Sequence, residues 1–396
     1  MFNWLAQTLA VTALNLRTIP RRLGSTAVAI IGIAGVVVVF VSVLSIAAGF
    51  TAAMRGSGSA SRAIVMRSGA DSEMTSGLSG TEVDVIKQAP GTRRNGQAPL
   101  ASAELFVIID FPKKSTNTSA NVPMRGVEPA SLLVRDEMSL IEGRMFQFGT
   151  NEIIVGRGAS GQFQGLTVGN ELRSGQNTWK VVGVFEADGG VAETELWCDS
   201  RVLQGAYRRG NTYQTVLVRL ESSESFGAFR DWLTSNPQVN VQVRRETEYY
   251  AQQSQALSGL IQGVGFGIAA LMGIGAVFGA ILTMYTAVST RSREIATLRA
   301  LGFNSTSVVV SVLAESLTLG AIGGLIGGLA AYVAFNGYQT STMNFQTFSQ
   351  VAFAFRVTPR LLVMGLVYSL LMGLVGGLFP AIRAARLPIP SALREL

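Results

Sequence analysis

Long runs without any charged residue constrain this sequence more than any other feature. No charge occurs between Arg22 and Arg55. The apolar heart of that run, Ala27 to Phe50, is long enough to cross a hydrocarbon core of about 30 Å. Further runs cover Tyr249 to Thr290, Val308 to Phe335 and Leu361 to Ile382. The second run exceeds one span, so its first part is predicted to project as a helical stalk. The sequence therefore predicts four transmembrane helices.

The distribution of charge supports membrane spans in an otherwise ordinary chain. Only 14% of the 396 residues are charged, whereas soluble proteins carry nearer a quarter. Between Thr51 and Gln255 lie 21 basic and 22 acidic residues, so the net charge of +7 resides beside the apolar runs. Because no basic patch stands apart from these runs, nucleic acid is excluded as a partner. A cleaved signal peptide is disfavoured because the first charge is as late as Arg17.

Arginines flank the four runs unequally. Nine of them precede the first span, join the second span to the third or follow the fourth: Arg17, Arg21, Arg22, Arg291, Arg293, Arg299, Arg383, Arg386 and Arg394. The connection between the third and fourth spans holds only Arg356 and Arg360. By the positive-inside rule, both termini are predicted to be cytoplasmic and the domain at 51–255 extracytoplasmic.

These assignments predict an order of segments along the chain. We expect a cytoplasmic amphipathic helix (1–22), the first span (23–50), an external core domain (51–255), a stalk with the second span (248–290), a short cytoplasmic helix (291–305), the third span (306–335), a short external loop (336–360), the fourth span (361–382) and a cytoplasmic tail (383–396). The segment Phe2 to Leu16 is uncharged and amphipathic, with Trp4 suited to the headgroup zone of the inner membrane interface.

Glycines and one acid stand out inside the spans. The glycines repeat at intervals of four in two sets, Gly259, Gly263 and Gly267, and Gly320, Gly324 and Gly328. Small residues at this spacing let helix backbones approach closely, so we predict helix packing here. Packing within one chain accounts for most of them, and pairing of two subunits is also compatible. Glu315 is the one ionisable residue inside a span, and we expect it to bond to a neighbouring helix rather than relay protons.

The external domain has the pattern of a mixed α/β fold. Strands and helices alternate near its two ends, which predicts one discontinuous subdomain at about 55–127 and 214–247. A mainly β insert is predicted at about 128–213. The strand candidates are Ala63–Arg67, Leu100–Phe111, Ala120–Gly126, Glu152–Val155, Lys180–Phe185, Glu193–Cys198, Thr215–Leu220 and Val239–Arg244, and the helix candidates are Gly80–Gln88 and Ser225–Thr234.

Residue usage excludes several kinds of chemistry. The chain has no histidine and one cysteine, Cys198, so an internal disulfide, a histidine-ligated metal site and a histidine-based catalytic triad are all excluded. Cys198 is interpreted as a small strand residue rather than a nucleophile. The insert at about 128–213 has no phosphate-binding loop and no paired carboxylates at a defensible spacing. We therefore expect no enzymatic activity, no cofactor and no metal in this chain.

The connection between the second and third spans carries the most specific motif. It reads Arg291-Ser-Arg-Glu-Ile-Ala-Thr-Leu-Arg-Ala-Leu-Gly302. This pattern predicts a short amphipathic helix that ends in a glycine cap at Gly302. Ile295, Leu298 and Leu301 share one face, while four charged residues remain available for ion pairs, namely Arg291, Arg293, Glu294 and Arg299. Such a helix is suited to docking into the groove of a cytoplasmic partner.

This motif resembles the coupling helix of the MacB/FtsX-type ABC transporter permease family, with Ala296 where the family usually has Gly. Other segments in the same order are similar to the family as well. They are Arg125-Gly-Val-Glu128, Glu142-Gly-Arg144, Glu152-Ile-Ile-Val-Gly156, Glu195-Leu-Trp197, Glu315 with the glycines that follow it, Pro380-Ala-Ile-Arg-Ala-Ala-Arg-Leu387 and Ser391-Ala-Leu-Arg394. The resemblance extends over essentially the whole chain.

The resemblance implies partners and a cellular location. No phosphate-binding loop occurs in these 396 residues, so the ATPase, with its ATP and Mg²⁺, is expected on a separate polypeptide that acts as a dimer. A second permease copy or a homologous permease is expected as well, and a periplasmic membrane-fusion protein is a further candidate. The coupling residues would be Arg291, Arg293, Glu294, Ile295, Leu298, Arg299, Leu301 and Gly302. The expected location is the bacterial inner membrane, with the large domain in the periplasm.

The resemblance leaves three functions open. The first is the permease subunit of a MacB-like exporter, which transmits ATP hydrolysis to a periplasmic conformational change through the stalk at about 248–262. The second is extraction of lipoproteins, as in LolC or LolE. The third is an FtsX-like regulator of a cell-wall hydrolase, which is disfavoured because external domains of that kind are much smaller than the roughly 200 residues here.

Overall fold

A computed structural model describes residues 7–13, 23–344, 347 and 349–388 of the chain. The predictions for Trp4, for the arginines at 17, 21 and 22 and for the closing motif at 391–394 lie outside these residues. The chain divides into two compact units. The membrane unit comprises Met1–Ala48, Gly259–Tyr338 and Phe355–Leu396, and the inserted unit comprises Gly49–Ser258 and Gln339–Ala354.

Four helices are long and apolar enough to cross a membrane, as predicted. They are α1 (Leu23–Gly56), α7 (Glu246–Ser289), α9 (Ser305–Phe335) and α10 (Pro359–Ala385). Asn304 caps α9 by accepting a hydrogen bond from the backbone N–H of Thr306, and Thr358 caps α10 by accepting one from Leu361. Helix α8 (Ser292–Ala300) separates α7 from α9. Residues 7–13 are also helical.

Two apolar clusters hold the membrane unit together. One joins α1 to α7 and α10 through side chains that include Val37, Phe40 and Met372. The other lies where α7, α8, α9 and α10 meet, and it includes Met284, Ile295 and Val312. Since these helices expose many large apolar side chains on their remaining faces, the unit has the inside-out polarity expected of a protein surrounded by lipid.

The inserted unit is built on one ten-stranded mixed sheet, which agrees with the predicted α/β class. The strand order is β14-β1-β13-β5-β6-β11-β8-β10-β7, and β9 pairs with β10 outside that path. The strands of this sheet are β1 (Arg62–Arg67), β5 (Ala101–Pro112), β6 (Ser119–Val127), β7 (Ser139–Gly143), β8 (Glu152–Gly156), β9 (Glu171–Ser174), β10 (Asn177–Glu186), β11 (Leu196–Asp199), β13 (Thr215–Arg219) and β14 (Val241–Arg245). Two further pairs lie outside it, namely β2 (Leu78–Ser79) with β12 (Thr212–Tyr213) and β3 (Arg94–Asn95) with β4 (Ala98–Pro99).

Short helices cover this sheet. They are α2 (Gly80–Lys87), α3 (Ser131–Val134), α4 (Arg157–Gln162), α5 (Ser200–Ala206) and α6 (Phe226–Ser235), with 3-10 turns at Glu73–Thr75 and Val191–Thr194. The second of these turns replaces the start of the strand that was predicted from Glu193. The side chain of Glu193 instead accepts hydrogen bonds from the backbone N–H groups of Ala187 and Gly189, which holds that residue in the turn.

Two of the apolar cores of the inserted unit share strand β5, so they do not divide at the predicted subdomain boundary. Ala101 and Ala103 of β5 belong to the core that β1, β13 and β14 share with α2 and α6. Leu105 and Val107 of the same strand belong to the core of the insert. Strand β11 pairs in parallel with β6, so the insert extends the same sheet. A long strand such as β5 can serve both cores because it spans well over 30 Å.

The connection between α9 and α10 forms a β-hairpin within the segment predicted as a short external loop. Strands β15 (Gln339–Asn344) and β16 (Ser349–Ala354) pair in antiparallel register, and both belong to the inserted unit. The hairpin is tied to that unit by an edge-to-face contact between Phe353 and Phe50 and by a hydrogen bond from Asn344 to Gln253. The inserted unit therefore includes chain from two separate connections.

Candidate functional site

Helix α8 is a nine-residue helix with the predicted glycine cap. Gly302 has a φ of 92°, a left-handed conformation that glycine adopts without steric cost. Its N–H donates a hydrogen bond to the carbonyl oxygen of Arg299, and the N–H of Phe303 donates one to the carbonyl oxygen of Leu298. These two hydrogen bonds are the pattern of a Schellman cap. The cap ends α8 and turns the chain into α9 two residues later.

The three apolar residues predicted to form one docking face of α8 do not all lie on the same side of the helix. Ile295 and Ala296 are buried, and Ile295 packs in the cluster that α7, α9 and α10 form. Leu301 is 73% exposed, so it does not share that face. Ile295 packs against the chain's own helices, and Leu301 lies six positions further on, about 240° around the helix from it. The exposed residues are Arg293, Glu294, Thr297, Ala300, Leu301 and Gly302, and Leu298 is partly exposed.

Arg291 is buried and pairs with the acid of the third span. Its Nη1 lies 3.1 Å from Oε2 of Glu315, and the two side chains are 5% and 8% exposed. Its Nε also lies 3.7 Å from the exposed carboxylate of Glu294. Glu315 was expected to bond to a neighbouring helix, and it bonds to Arg291, the residue just before α8. Arg291 is accordingly unavailable at the surface, contrary to its predicted availability for a partner.

A second arginine fastens the other end of α8. Nη1 of Arg299 donates a hydrogen bond of 2.5 Å to the carbonyl oxygen of Leu387, which follows the end of α10. Carbonyl groups at a helix end lack intrahelical donors, so a cation there is well placed. Arg299 thus joins α8 to the α10 end, and Arg293 and Glu294 are the charged residues of the motif that face outward.

The helical segment at residues 7–13 contributes to the surroundings of α8. The hydroxyl of Thr8 donates to that of Ser307 near the start of α9, at 3.0 Å. Val11 lines a small cavity together with Leu298, Arg291 and Glu315. Leu9 is 70% exposed. This amphipathic segment therefore has one side buried against the membrane unit.

Glycines place α9 directly against α10. A Cβ on Gly320 would lie 2.8 Å from the carbonyl oxygen of Ser369, and one on Gly373 would lie 2.8 Å from that of Ser316. A Cβ on Gly324 would lie 2.1 Å from the hydroxyl of Ser369, whereas one on Gly328 would make only an ordinary contact with Leu362. The hydroxyl of Ser316 donates to the carbonyl oxygen of Gly373 at 2.6 Å, so this close approach also satisfies a polar group.

The glycines of α7 behave differently from the prediction. No described atom outside α7's own backbone lies within 4 Å of the Cβ position of Gly259, Gly263 or Gly267, so the part of the chain that the structure describes shows no helix packing through them. The inward face of α7 instead includes Gly265, next to Val43, and Gly273, next to the hydroxyl of Tyr368. A shift of two residues turns a helix by about 200°, which places the predicted set on the opposite face.

Comparison with known proteins decides the family. Residues 26–236 match the family described as MacB-like periplasmic core domain, which is more than half of the chain. Residues 266–389 match the family described as FtsX-like permease C-terminal.

The chain belongs to the MacB/FtsX-like family of ABC transporter permeases. Its inserted unit is the extracytoplasmic domain, and the chain is a multi-pass membrane protein of a family whose members are permease components working with an ATPase.

Two curated relatives cover this permease in part. The macrolide export ATP-binding/permease protein MacB of Bdellovibrio bacteriovorus is 24% identical over 301 residues, which are 70% of this chain and 44% of that protein. The uncharacterized ABC transporter permease YvrN of Bacillus subtilis is 29% identical over 153 residues, 39% of this chain and 34% of that protein. This chain therefore spans less than half the length of either relative.

Solved structures of similar domains are also known. The extracellular domain of the transporter YknZ from Gram-positive bacteria aligns with 46% of this chain and all of that domain, at 16% identity and a TM-score of 0.35. The periplasmic region of MacB from Actinobacillus actinomycetemcomitans aligns with 49% of this chain and 92% of that region, at 11% identity and a TM-score of 0.37.

The external motifs of this permease build a buried ion network. Arg125 of β6 is 2% exposed and contacts three carboxylates, those of Glu73 at 2.7 Å, Glu104 at 2.8 Å and Glu195 at 2.7 Å. Arg135 makes a second pair with Glu104 at 2.5 Å. The indole N–H of Trp197 donates to Glu195 at 2.8 Å. Three acids and two bases thus share the interior, and every charge lies next to an opposite one.

The same network reaches the first turn of α7. The backbone N–H of Glu73 donates to the hydroxyl of Tyr249. Glu246 pairs with Arg62 at 2.5 Å, and Arg62 pairs with Glu137 at 2.6 Å. Within the inserted unit, the start of α7 is therefore fixed by buried ion pairs and hydrogen bonds, which are costly to break one partner at a time.

Two other family motifs have simpler roles. Glu128 accepts a hydrogen bond from the backbone N–H of Ala103 and pairs with Lys87 at 2.8 Å. Arg144 pairs with Glu152 at the surface, at 2.5 Å. Cys198 is buried in β11, and burial raises the pKa of its thiol well above the ordinary value. This agrees with the interpretation of Cys198 as a structural residue.

The ion network predicts a loss of stability in acid. Burial alone would raise the pKa of the Glu104 carboxyl, but Arg135 and then Arg125 lower it from 4.5 to about 2. Since the folded pKa is below the unfolded one, Glu104 stabilises the fold fully above pH 4.5 and loses this contribution as the pH falls toward 2. The free energy of unfolding should fall by on the order of 3 kcal/mol across that window.

Denaturant unfolding of the detergent-solubilised permease at a series of pH values measures this effect. The variant Glu152→Gln is the control, because that partly exposed carboxyl outside the network also has a lowered pKa, owing to its hydrogen bond with Arg144. The control should keep the acid dependence. Stability that does not change between pH 4.5 and 2, or a dependence that disappears with Glu152→Gln, would contradict the assignment to Glu104.

Proposed function

We propose that this chain is the permease subunit of a MacB-like exporter. It couples ATP hydrolysis by a separate ATPase dimer to a conformational change of its extracytoplasmic domain in the inner membrane of a bacterium. A second permease copy or a homologous permease completes the transporter, and a periplasmic membrane-fusion protein is its further partner. The substrate is then taken up from the periplasmic side, where the large domain lies.

The arrangement of α8 is the observation that carries this proposal. Its outward side holds Arg293 and Glu294, an opposite-charge pair of neighbours, followed by the exposed apolar side chain of Leu301. A helix with a buried apolar side and an exposed side of mixed charge fits a groove on a protein partner. The ATPase that the family implies is such a partner, so α8 is proposed as its coupling helix.

Helix α7 supplies the connection from the coupling helix to the external domain. It runs without a break from Glu246 to Ser289, and α8 begins three residues after its end. Its first residues belong to the inserted unit and its last ones to the membrane unit. Because the first turn is fixed by the Arg62–Glu246 pair, a displacement at the α8 end is expected to act on the external domain as a whole. This is the proposed role of the stalk at about 248–262.

Reversing the exposed charge at Glu294 should weaken ATPase binding. Its carboxylate is 63% exposed and lies 3.7 Å from Arg291, a contact longer than the 3.1 Å pair of Arg291 with Glu315. We therefore expect Glu294→Lys to keep the fold and to place a positive charge against the ATPase surface proposed to face Glu294. A partly desolvated charge pair is worth about 1–3 kcal/mol, which is roughly a ten- to hundredfold loss of association. The measurement is the ATP-hydrolysis rate that co-purifies with the tagged permease, per mole of permease.

The matched control reverses an exposed acid of the external domain, Glu221→Lys, and should leave the co-purifying ATPase unchanged. Both variants should extract from membranes in normal yield. If Glu294→Lys keeps the full co-purifying activity, α8 does not dock the ATPase through this charge, and the proposed coupling surface is wrong.

A further inference from the structure

The motif at 291–302 contains residues proposed to face a partner and residues that contact the chain's own helices. The ion pair between Arg291 and Glu315 belongs to the second group. Both charged groups are buried and 3.1 Å apart. Arg291 stands in the two-residue connection between Ser289, where α7 ends, and Ser292, where α8 begins. Glu315 lies ten residues into α9. The side chain at the joint between two helices thus reaches across to a third helix.

A joint of two residues would by itself let α8 swing relative to α7. Three contacts oppose that motion. Arg291 fastens the first end of α8 to α9, Ile295 packs against the α9 and α10 side chains of its cluster, and Arg299 fastens the far end to the carbonyl oxygen of Leu387. Two directional bonds at opposite ends, with an apolar contact between them, fix the orientation of a helix.

We propose that Arg291 and Glu315 are positioning residues that hold α8 rigidly on α9. Resting on the proposed function, this means that force applied by the ATPase to the exposed side of α8 reaches the membrane helices instead of being absorbed at the joint. Neither residue contacts the ATPase. The docking residues are Arg293, Glu294 and Leu301, which are exposed on α8 and directly after it.

The chemistry of the pair suits this task. A carboxylate inside a span is costly unless it is paired, and an arginine offers several donors in a planar fork that a lysine lacks. Removing either partner takes the opposite charge at 3.1 Å away from the other, which is buried next to the joint. Among the described residues, the exposed Glu294 is a second acid close to Arg291. The least disruptive response is for α8 to lift away from α9, which would expose Ile295.

Thiol protection at position 295 tests the position of α8 without any partner. The full chain with Cys198→Ser and Ile295→Cys is reconstituted in lipid nanodiscs and treated with a maleimide. The parent should label slowly. Adding Glu315→Gln or Arg291→Ala should raise the labelling rate by at least about tenfold, the sign of a local opening. Arg293→Ala is the matched control, since that neighbouring arginine is exposed, and it should leave the rate unchanged.

Charge exchange distinguishes a pair from two independent residues. The double variant Arg291→Glu with Glu315→Arg should restore slow labelling, and Arg291→Lys should give an intermediate rate. Rapid labelling of the exchanged variant, or labelling of Glu315→Gln at the parental rate, would overturn the proposal. The conservative Arg291→Lys variant keeps the test valid if a full charge removal prevents folding.

The coupling consequence is measured on the complex with the co-purified ATPase. Glu315→Gln should retain the bound ATPase, because the docking side is intact. It should lose the change in hydrogen exchange that ATP with vanadate induces in residues 246–262 of the parent complex. Loss of binding by Glu315→Gln, or a full exchange response in it, would contradict the positioning role. If the parent complex itself binds no ATPase, the proposed function fails, while the labelling results still decide whether the pair positions α8.

Discussion

Replacing Arg125 by alanine should strongly destabilise the extracytoplasmic domain. The guanidinium is buried against Glu73, Glu104 and Glu195. Its Cζ also lies over the ring of Phe106, 5.0 Å from the ring centroid. Its removal leaves three buried carboxylates with Arg135 as the remaining base of the cluster. Breaking a buried pair in this way costs roughly 3–5 kcal/mol, a large part of the roughly 5–15 kcal/mol that stabilises an ordinary domain.

Tryptophan fluorescence during denaturant unfolding of the detergent-solubilised chain reports this change, because Trp197 bonds to Glu195 inside the network. The matched control is Arg144→Ala, which removes an exposed arginine–glutamate pair of the same domain and should leave the unfolding midpoint nearly unchanged. Arg125→Lys should fall between the two, since an ammonium has three donors, whereas the guanidinium of Arg125 makes five hydrogen bonds to these carboxylates. Equal midpoints for Arg125→Ala and Arg144→Ala would show that the network does not stabilise the domain.

Replacing Gly373 by leucine should prevent α9 from packing against α10. The first carbon of the new side chain would lie 2.8 Å from the backbone oxygen of Ser316, and a backbone atom cannot move aside as a side chain can. The hydrogen bond from Ser316 to the carbonyl oxygen of Gly373 would be lost as well. Overpacking typically costs about 1–3 kcal/mol, and we expect more than this here because the two helices must separate along their length.

The measurement is the fraction of detergent-extracted permease that is monodisperse by gel filtration, together with its thermal midpoint. Gly275→Leu is the control, because no described atom lies within 4 Å of the Cβ position of Gly275. The control should resemble the parent, whereas Gly373→Leu should be largely aggregated or degraded. A monodisperse Gly373→Leu permease with the parental midpoint would contradict the close α9–α10 contact.

Local patterns in the sequence were sufficient for much of the fold. Runs of uncharged residues located the four long helices, because the thickness of a bilayer sets both length and composition. Short runs with β-like composition located strands such as β5 and β13, and Gly302 was recognised as the end of α8. In each of these cases the deciding interactions join residues close together in the chain.

The sequence reading missed the ion network, although a signal was present. Arg125, Glu195 and Trp197 all lie within the family motifs, but nothing local indicates that the first contacts the second across 70 positions. Acids at Glu73 and Glu104 belonged to no motif. A charge inside an otherwise apolar strand, as Glu104 is in β5, is the feature that could have pointed to a buried partner.

The assignment of faces likewise required the tertiary structure. The sequence alone determined that this chain crosses a membrane four times, carries an α/β domain between its first two spans and has a capped helix between the second and third, because hydrophobicity, periodicity and glycine conformation act locally. The structure decided that Ile295 faces the bundle, that Arg291 pairs with Glu315, and that Gly320 and Gly373 meet whereas Gly263 does not. Those outcomes depend on which side of each helix another helix occupies. Two positions along a helix correspond to a turn of about 200°, so residues two apart lie on opposite sides of it.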